Sequence, residues 1–120
     1  MMIQLLLHFW GDYITQNHWM SLHKVDNTIK GYLAAFIHAL LYSLPFLFIG
    51  SYLAVFVIFI THFLIDKYRL AIWLIKFKNW EWNTKTGFPE GTPAFLSVWL
   101  MIIIDNIIHI TINYLSLTFL

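Results

Sequence analysis

Three pairs of ionisable residues stand four positions apart in surroundings that are otherwise apolar: His8 and Asp12, His62 and Asp66, and Asp105 and His109. On a helix, residues at this spacing share a face, so each pair presents an imidazole beside a carboxylate. An aspartate at the centre of a bilayer costs roughly 2.5–3.5 kcal/mol on insertion scales, and such residues mark functional sites in membrane proteins. His38 adds a fourth imidazole position, with Tyr42 rather than an acid four residues on. Mixed nitrogen and oxygen donors of this kind suit a divalent zinc, manganese or iron ion. The candidate ligands are therefore His8, Asp12, His38, His62, Asp66, Asp105 and His109, with the three acids, His62 and His109 favoured. Seven candidates exceed the needs of one ion, so either two ions bind or some residues orient the ligands of one. A metal with an open position lowers the pKa of bound water toward about 7 and polarises a phosphoryl or carbonyl oxygen. Asp12, Asp66 and Asp105 are accordingly the catalytic candidates, any acid not holding metal being free to serve as general base. Gln16, Tyr42, Asn106 and Lys67 are expected around the ligands, as hydrogen-bonding partners or substrate contacts.

The elements that must position these residues follow from composition and patterning. Of 120 residues, 60% are hydrophobic and 11% charged, with a mean hydropathy of +0.71. Soluble domains carry roughly 25% charged residues, so the sequence predicts an all-α, polytopic membrane protein forming one domain over residues 1–120. The 11 Phe, 6 Trp and 6 Tyr agree, since Trp and Tyr favour the membrane interface. No cysteine is present, which excludes disulfides, thiolate nucleophiles and sulfur-ligated metals. Nor is there a basic stripe that would bind nucleic acid, a phosphate loop or a dinucleotide motif. The first residues lack the basic region and cleavage site of a signal peptide, and are expected to form a retained helix.

Four apolar segments predict four transmembrane helices: Met1 to Met20, Tyr32 to Gly50 with Pro45 loosening its end, Ser51 to about Asp66, and Phe95 to Leu120. The first is polar for a span and is expected to pack partly among the others. Between the third and fourth, Tyr68 to Trp82 alternates basic and aromatic residues and predicts an amphipathic helix lying in the headgroup region; a plain extension of the third helix into water is the alternative. Ser21–Lys30 and Lys76–Pro93 hold most polar residues, and all seven basic residues lie in or beside these connections. The positive-inside rule then puts both connections in the cytoplasm of a bacterial cell and both termini outside, in a multi-pass inner-membrane protein. In that topology the His/Asp positions fall in the inner half of the bilayer, where they can converge.

The run from His8 through Gly11, Asp12, Gln16, Trp19 and Met20 to Lys24 resembles the opening of a small bacterial and phage membrane-protein family, domain of unknown function 3307. The resemblance continues through His38-Ala-Leu-Leu-Tyr42, Thr61-His62-Phe-Leu-Ile-Asp66-Lys67 and Asp105-Asn106-Ile-Ile-His109. The family's second motif often carries a further His where this chain has Ala34, and its last motif commonly has Gln where this chain has Asn106. The resemblance implies a membrane protein often encoded by phages or prophages, with no assigned activity; a looser similarity connects it to membrane-bound metal-dependent hydrolases.

Together these readings predict an intramembrane divalent-metal protein that hydrolyses a phosphate- or acyl-containing substrate, a lipid or small molecule, at the inner leaflet. One alternative is a non-enzymatic membrane interaction protein with a structural metal or buried His/Asp ion pairs. Another is a proton or ion transporter, which requires polar residues continuing to the outer surface. The chain can also assemble into a homo-oligomer, for which Gly31 to Ala35 is a weak small-residue candidate.

Overall fold

The computed structural model describes residues 2–120, and among them every regular element is helical, with no strand. Met1, where the expected first segment begins, lies outside the described residues. Helix α1 (Met2–Trp10) runs directly into a π-helical turn, Gly11–Thr15. The backbone then becomes extended at Gln16, and Asn17 opens α2 (His18–His23) by accepting a hydrogen bond from the Met20 amide. The expected continuous helix to Met20 is thus broken at Gln16–Asn17, because a side-chain cap at Asn17 satisfies the amide that a continuous helix would have used. Thr28 caps α3 (Ile29–Ser43) in the same way. At Pro45, where a kink or a loosened last turn was expected, the α-helix ends and the chain tightens instead into a 3₁₀ segment, Leu44–Phe48. Ser51 caps α4 (Tyr52–Tyr68), which ends at Arg69. Helix α5 (Leu70–Asn79) follows, and α6 (Ala94–Phe119) closes the chain.

Two of the four expected spans meet the length and apolarity of a membrane crossing, Ile29–Phe48 and Ala94–Phe119. The other two are shorter. Helix α1 has 9 residues before its π turn, and α4 has 17, ending on Asp66, Lys67 and Tyr68. At 26 residues, α6 is about 39 Å long. Beyond Tyr68 the chain does not simply extend α4. Arg69 takes a left-handed conformation (φ 52°, ψ 51°), which ends α4 and turns α5 onto a new course. Ala71 and Ile75 are the buried residues of α5, while Trp73, Leu74 and Phe77 stay exposed.

Helices α1, α3, α4 and α6 form a ring: α3 packs on α4, α4 on α6, and α1 touches both α6 and α3. Ser51 Oγ donates to the Leu120 carbonyl (3.0 Å), bringing the start of α4 beside the end of α6. The interior of this ring is unusual in its chemistry. Its apolar cluster is small, Tyr42, Phe46, Val55 and Ile58, whereas His8, His38, His62, His109, Asp66 and Asn113 are all buried. Large apolar side chains meanwhile cover the outside, Phe48 and Tyr52 being 91% and 87% exposed. Many polar groups are thus buried while many large apolar side chains are exposed, a pattern compatible with a bilayer setting.

Two local features set the approach of α1. A Cβ added at Gly11 would lie 2.5 Å from Tyr42 Cδ2 and 3.2 Å from Cε2 and Cγ, so only glycine lets the π turn rest on that ring. Thr15 Oγ1 donates to the Gly11 carbonyl (2.8 Å) and ties the wide turn across itself. We expect Gly11→Ala to destabilise the solubilised protein by about 1–3 kcal/mol through overpacking, read as a lower thermal unfolding midpoint. An unchanged midpoint would contradict the close contact.

Candidate functional site

Four side chains from three elements meet inside the ring: Asp12 from the π turn, His38 from α3, and His62 and Asp66 from α4. The two Nε2 atoms of His38 and His62 are 2.9 Å apart. Asp12 Oδ1 lies 3.2 Å from His38 Nε2 and 3.3 Å from His62 Nε2. Asp66 Oδ2 lies 3.1 Å and 3.4 Å from the same two atoms. Four donors bound at 2.0 Å in a tetrahedron are separated by about 3.3 Å, so five edges of this arrangement have the dimensions of a zinc-like coordination shell.

Hydrogen bonding alone leaves these donors badly matched. His109 Nε2 is 3.0 Å from Asp66 Oδ1, and a carboxylate can only accept, so that nitrogen carries the proton. A neutral His109 then accepts at Nδ1, 3.1 Å from His62 Nδ1, which must donate. His62 is left with a bare lone pair on Nε2, aimed at two carboxylate oxygens and another imidazole. A proton on His38 Nε2 could serve only one of its three close neighbours. Asp12 Oδ1, moreover, is buried and has no hydrogen bond. A cation at the centre would turn every one of these lone pairs into a favourable contact. The cluster could hold a metal ion on these grounds, and a second set, Asp12, Asp105 and His109, is also close enough to share one.

The sequence-derived candidates divide accordingly. His109 sits behind the four, joining Asp66 to His62, and its Nε2 is also 3.5 Å from Asp105 Oδ2. His8 does not reach them. Asn113 Nδ2 donates to Tyr42 Oη (2.7 Å), Tyr42 donates to His8 Nδ1 (2.7 Å), and His8 Nε2 donates to Asn106 Oδ1 (2.9 Å), whose Nδ2 donates to Tyr13 (2.9 Å). Both imidazole nitrogens of His8 are thus occupied, and its separation from Asp12 is 3.7 Å. The two groups stay side by side as the spacing predicts, but Asp12 belongs to a π turn and its other oxygen reaches His38 and His62. Tyr42 supports the cluster from one side, its ring stacked on His62 at 3.7 Å between centroids and 16° between planes. Lys67 lies away from the cluster: its ammonium donates to the Asp26 carbonyl and sits 4.2 Å from the centre of the Tyr32 ring. Lys24, by contrast, reaches in and donates to Asp66 Oδ2 at 2.8 Å.

A cavity of about 340 Å³ opens beside the cluster, lined among others by Asp12, Gln16, Lys24, Asp66, Arg69 and Asp105. Asp105 has a side chain 28% exposed and contributes to this wall. Sequence reasoning missed Asn113 as the partner of Tyr42, the link from Lys24 to Asp66, and Arg69 as a cavity residue. The first could have been found from its place four residues beyond His109 on one face of α6; the others depend on chain turns that periodicity does not reveal.

The fold and site define an all-helical bundle built around a buried cluster of histidine and aspartate. The chain belongs to the family described as Protein of unknown function (DUF3307), whose model matches residues 1–117. No curated protein and no solved structure matches it.

The hydrogen-bonded chain through Tyr42 makes a specific demand. Tyr42→Phe keeps the ring against His62 but strips a partner from His8 Nδ1 and from Asn113 Nδ2. Leaving buried polar groups unpaired costs about 1–3 kcal/mol, so the variant should unfold at a lower temperature or denaturant concentration. A variant as stable as the parent would show that the chain carries no such constraint.

Proposed function

We propose that this protein is a four-span bundle of the bacterial inner membrane that binds a divalent transition metal and hydrolyses a phosphate- or acyl-containing substrate at the inner leaflet. The observation that carries the reading is the meeting of four unmatched donors, 2.9–3.4 Å apart on five edges, two of which, Asp12 and Asp66, line a cavity large enough for a small substrate. The apolar exterior supports a bilayer setting. Helices α1 and α4, though short for independent crossings, are held in the ring by α3 and α6 and can cross beside them. The basic residues, gathered in and beside the two polar connections, favour the cytoplasmic side for that end of the bundle, with both termini opposite.

In this reading Asp12, His38, His62 and Asp66 are the ligands, and the catalytic and metal-holding roles of Asp12 and Asp66 coincide. His109 fixes the tautomer of His62 and the rotamer of Asp66 at once. His8 acts one layer further out, through Tyr42 and Asn106. The ion, zinc, manganese or iron, supplies Lewis acidity and an acidified water. Asp105, in the cavity wall and outside the four ligands, would accept the proton of the attacking water as its oxygen bonds to phosphorus or to the acyl carbon, and would return that proton to the leaving oxygen as the ester bond breaks. A closed structural metal would need no cavity beside it.

Hydrolysis of a phosphate monoester or a short acyl ester by metal-supplemented protein should therefore disappear with chelator and return with zinc, manganese or iron. Asp105→Asn should keep its metal and lose about 10²–10⁴-fold in kcat, the usual range for a general base. Metal-loaded protein inert toward both ester classes would defeat the enzyme reading and favour a structural metal.

A further inference from the structure

The cavity has a second chemical feature besides the cluster. Arg69, the only arginine in the chain, lines it together with Lys24. Among the described residues, Arg69, itself exposed, enters no ion pair and no side-chain hydrogen bond, although three aspartates line the same cavity. It also occupies a left-handed backbone conformation at the joint between α4 and α5, a position where glycine would be easier. A non-glycine residue held at positive φ points to a role for its side chain. Arg69 is thus a guanidinium without a carboxylate partner, placed by the chain turn that ends α4 three residues after Asp66.

Charge decides what that guanidinium can meet. Asp12, Asp66 and Asp105 face Lys24 and Arg69 across the lining, which leaves the cavity negative without metal. A divalent ion on the cluster reverses the balance and makes it positive. A neutral acyl ester would draw nothing from two cations here. A phosphate would be matched by the metal, by the Lys24 ammonium and by the planar fork of Arg69, which suits phosphate oxygens. The rest of the lining is mixed, with apolar Val25, Ile65, Ile72, Met101 and Ile102 beside Tyr13, Gln16 and Ser21. The apolar residues could receive the hydrocarbon part of the same molecule.

We infer that Arg69 and Lys24 form an anion-recognition site for a phosphate monoester next to the metal cluster, so that the substrate class is phosphate rather than acyl ester. This deepens the proposed hydrolase and rests on its metal. Lys24 lies against the cluster and takes the phosphate oxygens nearest the reaction; Arg69 grips the group from the α4–α5 joint and sets its orientation. Binding of phosphate and of metal should also be mutually reinforcing, because each ligand removes the charge conflict that the other leaves.

The test is calorimetric titration of detergent-solubilised protein, with metal content measured separately on the same samples. The probes are dioctanoyl phosphatidic acid, neutral dioctanoylglycerol and inorganic phosphate. With zinc or manganese bound, phosphatidic acid should bind at least tenfold more tightly than dioctanoylglycerol. Arg69→Gly, which relieves the backbone at this position, should keep the metal and the unfolding midpoint yet lose tenfold or more in affinity for phosphate-bearing probes alone. Arg69→Lys should recover part of that loss. Phosphatidic acid binding above inorganic phosphate would identify a lipid headgroup as the source, and equal binding a soluble phosphate; both support the site. Metal-loaded protein that binds the neutral lipid as well as phosphatidic acid, or an Arg69→Gly variant unchanged toward phosphate, overturns the anion site while leaving the metal centre intact. Protein that takes up no metal overturns the metal reading itself and this inference with it.

Discussion

The structure depends on one electrostatic constraint: four lone-pair donors from three parts of the chain are held about 3 Å apart on side chains that are largely buried. His38 and His62 offer Nε2 atoms, and Asp12 and Asp66 offer oxygens, with too few protons between them to make each contact a hydrogen bond. Buried charges are stable only when paired or when they coordinate a metal. The surrounding groups act to hold the conflict in place. His109 bridges Asp66 and His62, the Tyr42 ring stacks on His62, and Lys24 neutralises part of the charge on Asp66. A cation at the centre is the simplest completion of such an arrangement.

That constraint explains features of the fold that would otherwise look arbitrary. The π turn breaks the regularity of the first helix, yet it delivers the Asp12 carboxylate to the cluster. Gly11 allows the turn to press against Tyr42, the residue that links His8 and Asn113. The polar interior can exist because the outward faces are apolar. In a bilayer, burial of Phe48 or Tyr52 against other protein would bring little advantage, since lipid is as apolar as a protein core. Small buried residues such as Ala34, Ala35, Ala39 and Ala54 let the helices approach closely around the cluster of Tyr42, Phe46, Val55 and Ile58.

Much of this was legible in the sequence. The i, i+4 spacing of His62 and Asp66 on an unbroken helix places both in the cluster, and the low charge content accounts for the all-helical, outwardly apolar architecture. Asp105 and His109 also share one face of α6, although only His109 is fully drawn into the network. The same spacing keeps His8 within 3.7 Å of Asp12, but periodicity does not show that only Asp12 joins the four-donor cluster, because the chain there is π-helical. Lys67 follows Asp66 directly and so points to another face, toward Asp26 and Tyr32. The break at Asn17, the left-handed Arg69 and the resulting cavity come from local caps and turns that periodicity averages away. Length was the other difficulty: four apolar segments were readable, but α1 and α4 are too short to meet the measure of a crossing that α3 and α6 satisfy.

The central claim is that Asp12, His38, His62 and Asp66 surround a metal while His8 does not touch it. Elemental analysis of protein purified without chelator, comparing the parent with His8→Ala and Asp66→Ala, tests it directly. About one equivalent of a transition metal is expected in the parent, retained in His8→Ala and lost in Asp66→Ala. A parent protein free of metal, and unable to take up zinc, manganese or iron on titration, would contradict the account and leave the cluster as a set of buried ion pairs.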